Sequence, residues 1–358
     1  MALGPLGADP VTPYLQVDVD RLQRNLDRTA ARFAEAGVAL RPHAKTHKCP
    51  EVARRQLAAG AVGLTVATIG EAEAMVAAGC HDVFVAYPLW LDERGSRRLA
   101  DLATQVTVAI GVDSAEGAAN AGRLLDGSPV EVLVEVDSGQ HRSGAAPADA
   151  GAVAVAARRA GLEVRGVFTF PGHGYGAERS TAARDEAAAL WTAGEAMAAA
   201  GVEPRVLSGG STPTLADADL DVLTEARPGV YAFHDAQQWE LGVVGPEDLA
   251  LVCVSTVISH AGGRVVLDAG SKALGADRAA YATGFGRLPD HPDARVVQLS
   301  EHHAVVDLAG APLPPLGSTL AVAPNHVCAA INLHDELWVD SPRSGRSAWP
   351  VTARGRNS

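Results

Sequence analysis

From residue 40 to about residue 227 the sequence alternates short β-branched runs with alanine-rich amphipathic stretches, and this alternation restricts the possible folds more than any other feature. A strand that reaches its neighbour only through a helix pairs with it in parallel, because such a crossover takes about a dozen residues or more. Eight runs are visible, at 40–43, 63–67, 82–86, 107–112, 131–137, 164–170, 205–208 and 221–225, with helical stretches such as 71–78 and 182–200 among them. Eight parallel units predict an α/β fold, a closed (β/α)8 TIM-type barrel. An open doubly wound sheet repeats the same unit, so periodicity leaves it standing. The polar residues favour the barrel. Lys45, Thr68, Tyr87, Asp113, Arg142, His173, Ser211 and Arg227 all fall just after the carboxyl end of an expected strand, where a barrel collects its active site.

After about residue 245 the texture changes to strand-like runs at 251–258, 264–267, 294–299, 304–306 and 320–322, separated by Gly, Pro and Asp turns. That is the pattern of a β domain. The expected organisation is therefore an N-terminal segment 1–20 open to pairing with the β domain, a barrel over 21–244 and the β domain over 245–358. A chain of 358 residues is long enough for both, and with 47% hydrophobic and 20% charged residues it can bury a large core. The net charge of −12 and the lack of a basic run exclude a nucleic-acid partner. No apolar run reaches membrane-spanning length, the four cysteines form no CxxC pair, and no leader pattern opens the chain, which points to a reduced cytoplasmic protein with no membrane partner.

The densest chemistry lies in Arg41-Pro42-His43-Ala44-Lys45-Thr46-His47-Lys48. A lysine at a strand end in a barrel mouth is desolvated and close to other cations, which makes its amine a usable nucleophile toward a carbonyl. Of the two lysines Lys45 lies nearer the strand. The turn 208–214, with Gly210, Ser211 and Thr212, follows the seventh run, and the turn holding Gly229 and Tyr231 follows the eighth. Glycines let backbone N–H groups approach an anion, hydroxyls add donors, and the loops after strands seven and eight are the usual phosphate site of a barrel. Together with Lys45 they point to a phosphorylated aldehyde cofactor. Near the other end, His326 and Cys328 share an i, i+2 spacing that on an extended segment puts imidazole and thiolate on one side. Alone, such a pair is more often an ordinary loop histidine beside a packed cysteine. In this company it is a divalent metal site, and the soft, borderline donor set suits zinc.

The runs RPHAKTHK, SGGSTPT, TEARPGVY, LDAGSKAL and PNHVC together resemble the D-serine dehydratase/D-threonine aldolase family of fold-type III pyridoxal 5'-phosphate (PLP) enzymes, related to alanine racemase. The resemblance covers nearly the whole chain. It implies a PLP-binding barrel followed by a β domain, a homodimer, and an amino-acid substrate. It assigns Lys45 as the Schiff-base lysine, His326 and Cys328 as metal ligands, Arg142 in GQHRSG as a contact to the PLP ring and Tyr175 in PGHGY as a neighbour of the cofactor. The chain departs from the family pattern at His173-Gly174-Tyr175, where a serine is more usual in the middle, and at Ser300-Glu301-His302-His303, where a second glutamate is expected.

The implied reaction is dehydration of a D-β-hydroxy amino acid such as D-serine. Lys45 removes the α-proton, PLP delocalises the charge, the metal assists departure of the β-hydroxyl, and the enamine hydrolyses to a 2-oxo acid and ammonia. D-threo-3-hydroxyaspartate is an alternative substrate. Retro-aldol cleavage of the D-threonine aldolase type needs the same groups, but a cysteine as second ligand goes with dehydratases in this family and an aspartate with aldolases. An amino-acid racemase, with Tyr281 as a second base, leaves the metal pair without a role, and a non-catalytic PLP carrier leaves the β domain unexplained.

Overall fold

The computed structural model describes residues 10–341 and 345–358, so the start of the N-terminal segment and residues 342–344 of the expected β domain lie outside the described residues. The chain forms two compact units. One comprises Arg28–Lys45, Glu51–Gly229 and Arg356–Ser358. The other comprises the described residues up to Asp27, Thr46–Pro50 and Val230–Gly355.

The first unit is a parallel eight-stranded sheet of Ala39–Leu40, Leu64–Val66, Asp82–Pro88, Thr107–Val112, Glu131–Glu135, Glu163–Phe168, Val206–Gly209 and Glu225–Ala226, in which each strand from the second onward pairs with the next in chain order and the last pairs with the first. A parallel bridge between His43 and Thr65, with Thr65 N–H donating to Pro42 at 2.8 Å, closes the ring between the first and second strands. The strands are near-continuous apolar runs because both faces are covered; in Thr107–Val112 every residue after the first is buried. Three of the following helices start on an oxygen-bearing N-cap. Thr68 accepts from Glu71 N–H, Asp92 from Gly95 N–H, and Ser114 from Gly117 N–H.

The eighth strand lies farther along than the expected 221–225. Asp219 takes the Asp221 and Leu223 amides into a turn at 3.1 Å each, and pairing begins only at Glu225. The first strand is likewise shorter than 40–43, although its ladder continues through Arg41 N–H to Ala226 and His43 N–H to Pro228, both at 2.9 Å. Tyr87 falls inside the strand Asp82–Pro88 and not after it.

Inside the ring, Phe84, Ala109, Leu133 and Phe168 form one apolar layer, with the two phenyl rings edge to face at 4.9 Å. At the amino-terminal ends of the strands the filling is ionic. Arg41 pairs with Glu225 at 2.6 Å and Asp82 at 2.9 Å, Arg165 bridges Asp82 and Glu131, and Arg205 reaches Glu131 at 2.6 Å. Burial opposes the charge on Arg41, yet Glu225 and Asp82 hold its pKa above the ordinary arginine value. Glu225→Gln leaves Arg41 with Asp82 alone, so it should cost about 1–3 kcal/mol, read from the urea midpoint at constant slope. A midpoint within error of wild type would show the pair to be dispensable.

The second unit is built on an antiparallel barrel. Leu251–Ser259, Val265–Leu267, Ala304–Asp307, His291–Leu299, Gly286–Leu288 and Thr319–Pro324 pair in that order and the last returns to the first. Tyr14–Val17 adds to Leu251–Ser259 in antiparallel register and carries Glu336–Ser341 and Gly345–Pro350 on its other side. Closing a sheet removes its edges. Among the described residues no helix is long and apolar enough to cross a membrane.

Candidate active site

In the barrel unit, three residues singled out from sequence converge on one that was not. Lys45 lies in the single 3-10 turn Ala44–Thr46 after the first strand, with its Nζ 5.6 Å from the centroid of the Phe170 ring. Arg142 stands over the same ring at 5.4 Å, and the Tyr175 ring is 6.3 Å away. Phe170 follows the sixth strand and is half-buried. Sequence pointed to the strand end but gave no reason to choose a phenylalanine there.

Arg142 is carried by the loop after the fifth strand. Asp137 at that strand's end accepts from Gly139 N–H at 2.9 Å and His141 N–H at 3.0 Å, and it meets the His141 ring at 2.8 Å. These bonds fold the loop on itself, with His141 at φ +57°, and leave Arg142 exposed. The buried atoms Glu135 Oε2, Gln140 Oε1 and His173 Nδ1, at the carboxyl ends of the fifth and sixth strands, have no hydrogen-bond partner. Burial, partly offset by Ser143 and Arg142, raises the Glu135 pKa. Orphaned polar atoms of this kind mark a place that expects a polar occupant.

The turn Ser208–Thr214 is buried and internally bonded. Ser211 N–H donates to Thr214 Oγ1 at 3.2 Å, and the two hydroxyls lie 3.0 Å apart. Gly210 N–H donates to Glu186 at 2.6 Å, so that amide is already committed, contrary to its expected use toward an anion. Arg227 directly follows the eighth strand, as expected. It is fully buried, donates to Ser208 Oγ and, at 2.5 Å, to Thr169 O, and lies 5.3 Å from the Phe168 ring. Gly229 is the last residue of the barrel unit before the chain passes to the other, where Tyr231 is buried in the 3-10 turn Val230–Ala232.

In the second unit His326 and Cys328 meet by a different route from the one expected. The segment is not extended. His326 has extended backbone but is the N-cap of the helix Val327–Ile331, and Cys328 lies inside that helix. The strand Thr319–Pro324 thus turns into a helix between the two residues, and the corner brings imidazole and thiol together. Cys328 Sγ donates to Thr46 Oγ1 at 3.4 Å. Asp235, 91 residues upstream of His326 and fully buried, stands 3.4 Å from His326 Nδ1; its carboxylate also accepts from Val327 N–H at 3.2 Å and Gln238 N–H at 2.9 Å. Nothing in the local sequence marks it. Cys328 above all, opposed by burial and helped by Asp235, lifts the His326 pKa well above the ordinary histidine value. Surroundings that favour a cationic ring also favour a metal cation beside it. Among the described residues no group of three or more His, Cys, Asp or Glu could hold a metal. The pair therefore fits an open site completed by water or substrate, not a closed structural one.

Two polar residues of the LDAGSKAL run have structural partners. Asp268 accepts from Thr256 N–H at 2.8 Å and Thr12 Oγ1 at 2.7 Å, and Lys272 forms an exposed pair with Glu301.

A parallel barrel with a lysine after its first strand, joined to an antiparallel β-barrel unit, defines the fold-type III class of PLP enzymes. Residues 17–237 match the alanine racemase N-terminal domain and residues 250–339 a serine dehydratase domain. The chain is 37% identical over 351 residues to D-threo-3-hydroxyaspartate dehydratase of Delftia sp. (strain HT23), covering 89% of this chain and 91% of that protein. It is 33% identical over 359 residues to D-threonine aldolase of Arthrobacter sp., covering 96% and 93%. A structure of D-threo-3-hydroxyaspartate dehydratase with a cysteine replaced by alanine, in the metal-free form, superposes with a TM-score of 0.87 at 32% identity, covering 95% of this chain and 97% of that one. The chain belongs to the D-serine dehydratase-like family with an alanine racemase-type barrel, a family of PLP-dependent lyases that includes metal-binding members.

Proposed function

We propose that the protein is a PLP- and metal-dependent D-β-hydroxy amino acid dehydratase, acting on D-serine or D-threo-3-hydroxyaspartate to give a 2-oxo acid and ammonia. The observation that carries this reading is the His326–Cys328 pair braced by Asp235, which proton exchange alone would not need. When bound, PLP supplies an electron sink for charge developing at the substrate's α-carbon and the metal, zinc on this donor set, a Lewis acid for the departing β-oxygen. Lys45 Nζ would carry the cofactor, then take the α-proton. Arg142 and Tyr175 flank it from the loops after strands five and six, and Ser211 and Thr212, with Gly210, Gly229 and Tyr231 shaping their segments, would hold the phosphate. Asp235 takes the Nδ1 proton of His326 in a hydrogen bond, leaving Nε2 for the metal.

The chain itself ties these roles together. Lys45 is followed directly by Thr46, whose hydroxyl is bonded by Cys328, and Lys48 Nζ donates at 2.8 Å to Asn332, the C-cap of the helix that carries Cys328. Retro-aldol cleavage is the second reading, favoured by the 33% identity to an aldolase; the cysteine in place of an aspartate favours dehydration. A racemase is disfavoured because it would leave the His326–Cys328 pair without a role; burial, reinforced by Asp235 and Glu240, raises the Tyr281 phenol. That the four cysteines form no disulfide accords with a reducing cytoplasm, and the family resemblance accords with a homodimer.

The test is incubation of the purified enzyme with D- and L-β-hydroxy amino acids, separating 2-oxo acid from aldehyde. 2-Oxo acid from D-isomers alone is expected, and aldehyde with glycine would establish the aldolase reading instead. Asp235→Asn should lower metal retention about 10–100-fold in a competition with a chelator of known affinity. Unchanged retention would remove Asp235 from the site.

A further inference from the structure

Both glycines of the turn Ser208–Thr214 adjoin Glu186. A Cβ on Gly209 would lie 2.5 Å from Glu186 Oε1 and 2.8 Å from Leu223 Cδ2, so a side chain there is excluded. Gly210 has φ +84°, a conformation that favours glycine, and its N–H donates to Glu186 Oε1 at 2.6 Å. Glu186 comes from the helix Arg179–Ala199 and is 1% exposed, and its Oε2 is buried with no hydrogen-bond partner. A carboxyl group in that position is costly. It persists where a function requires it.

We propose that Glu186 is the positioning residue of this turn: it clamps the Gly210 amide, fixes the left-handed kink, and so sets the Ser211 and Thr212 hydroxyls toward the cofactor phosphate. The inference rests on the reading that the turn holds that phosphate. Burial, opposed by the Gly210 bond and by Arg227, lifts the Glu186 carboxyl to about 7. Arg227 is the charged side chain acting on it, and Arg227 in turn feels Glu225 and Glu135. An arriving phosphate adds negative charge and favours the protonated acid further. Cofactor loading then takes up a proton at Glu186, and retention falls as pH rises through about 7.

The experiment measures PLP loss from diluted holoenzyme by absorbance, between pH 6 and 8, for wild type, Glu186→Gln and Glu186→Ala. The glutamine keeps an acceptor for Gly210 and cannot ionise. It should retain PLP like wild type at pH 6 and should lose the part of the pH dependence due to Glu186, while the contributions of the phosphate and Lys45 stay common to both proteins. The alanine variant should release PLP about 10-fold more readily. Wild-type retention in a folded Glu186→Ala protein overturns the proposal. If that variant does not fold, a pH profile of Glu186→Gln superposable on wild type overturns it instead. PLP retention in Thr212→Val tests the underlying reading separately: unchanged retention places the phosphate elsewhere, whereas weakened retention with unaltered Glu186 variants defeats only the role of Glu186.

Discussion

Replacing Lys45 by alanine should leave a folded protein that holds no covalent cofactor and turns over at least about 10³-fold more slowly. The expectation follows from position. Lys45 projects from a turn at the barrel mouth with its amine near the Phe170 ring, whereas Lys48, three residues on, is buried and donates to Asn332. Borohydride reduction of the wild-type holoenzyme followed by peptide mapping should place the pyridoxyl group on Lys45. Recovery of the label on Lys48 or Lys272 would refute the assignment.

Metal removal should have an effect of the same order but a different character. Chelation, His326→Ala and Cys328→Ala should each lower turnover about 10³-fold, since a Lewis acid on the leaving oxygen is worth several kcal/mol. The PLP absorbance should survive, because no cofactor-holding residue proposed here is a metal ligand. Exchange of the substrate α-proton with solvent should also persist in the metal-free protein, since Lys45 acts at that atom. Thermal unfolding should change little, as two protein ligands hold an open site and do not staple a fold. Full turnover in protein shown by elemental analysis to be metal-free would defeat the dehydratase mechanism while leaving every PLP assignment intact.

Local periodicity carried the fold. The strands of the barrel are buried apolar runs bounded by caps, and both signals are written within about ten residues of each other. Periodicity failed at the eighth strand because Leu223 and its neighbours suit a strand, while Asp219 captures their amides into a turn. The site divides in the same way. Lys45 and the His326–Cys328 pair stand in compact motifs, so sequence could single them out. Asp235, Phe170 and Glu186 were not, because each acquires its role from a partner brought close only by the fold. The spacing of His326 and Cys328 was legible but its geometry was not. An i, i+2 pair converges on a strand by alternation, and here it converges through a strand-to-helix corner. The glycines at 209 and 210 were legible, but the carboxyl that bonds the Gly210 amide was not, since it lies on a helix more than twenty residues earlier.

The ionic floor of the parallel barrel has a consequence for heat. Hydration of charges becomes less favourable as temperature rises, so the cost of keeping Arg41, Asp82 and Glu225 from water shrinks on warming, while apolar burial gains little more. The amino-terminal end of this barrel should therefore hold its strength in conditions where the apolar layer no longer improves, and Glu225→Gln should lower the melting temperature by more than its effect at room temperature foretells.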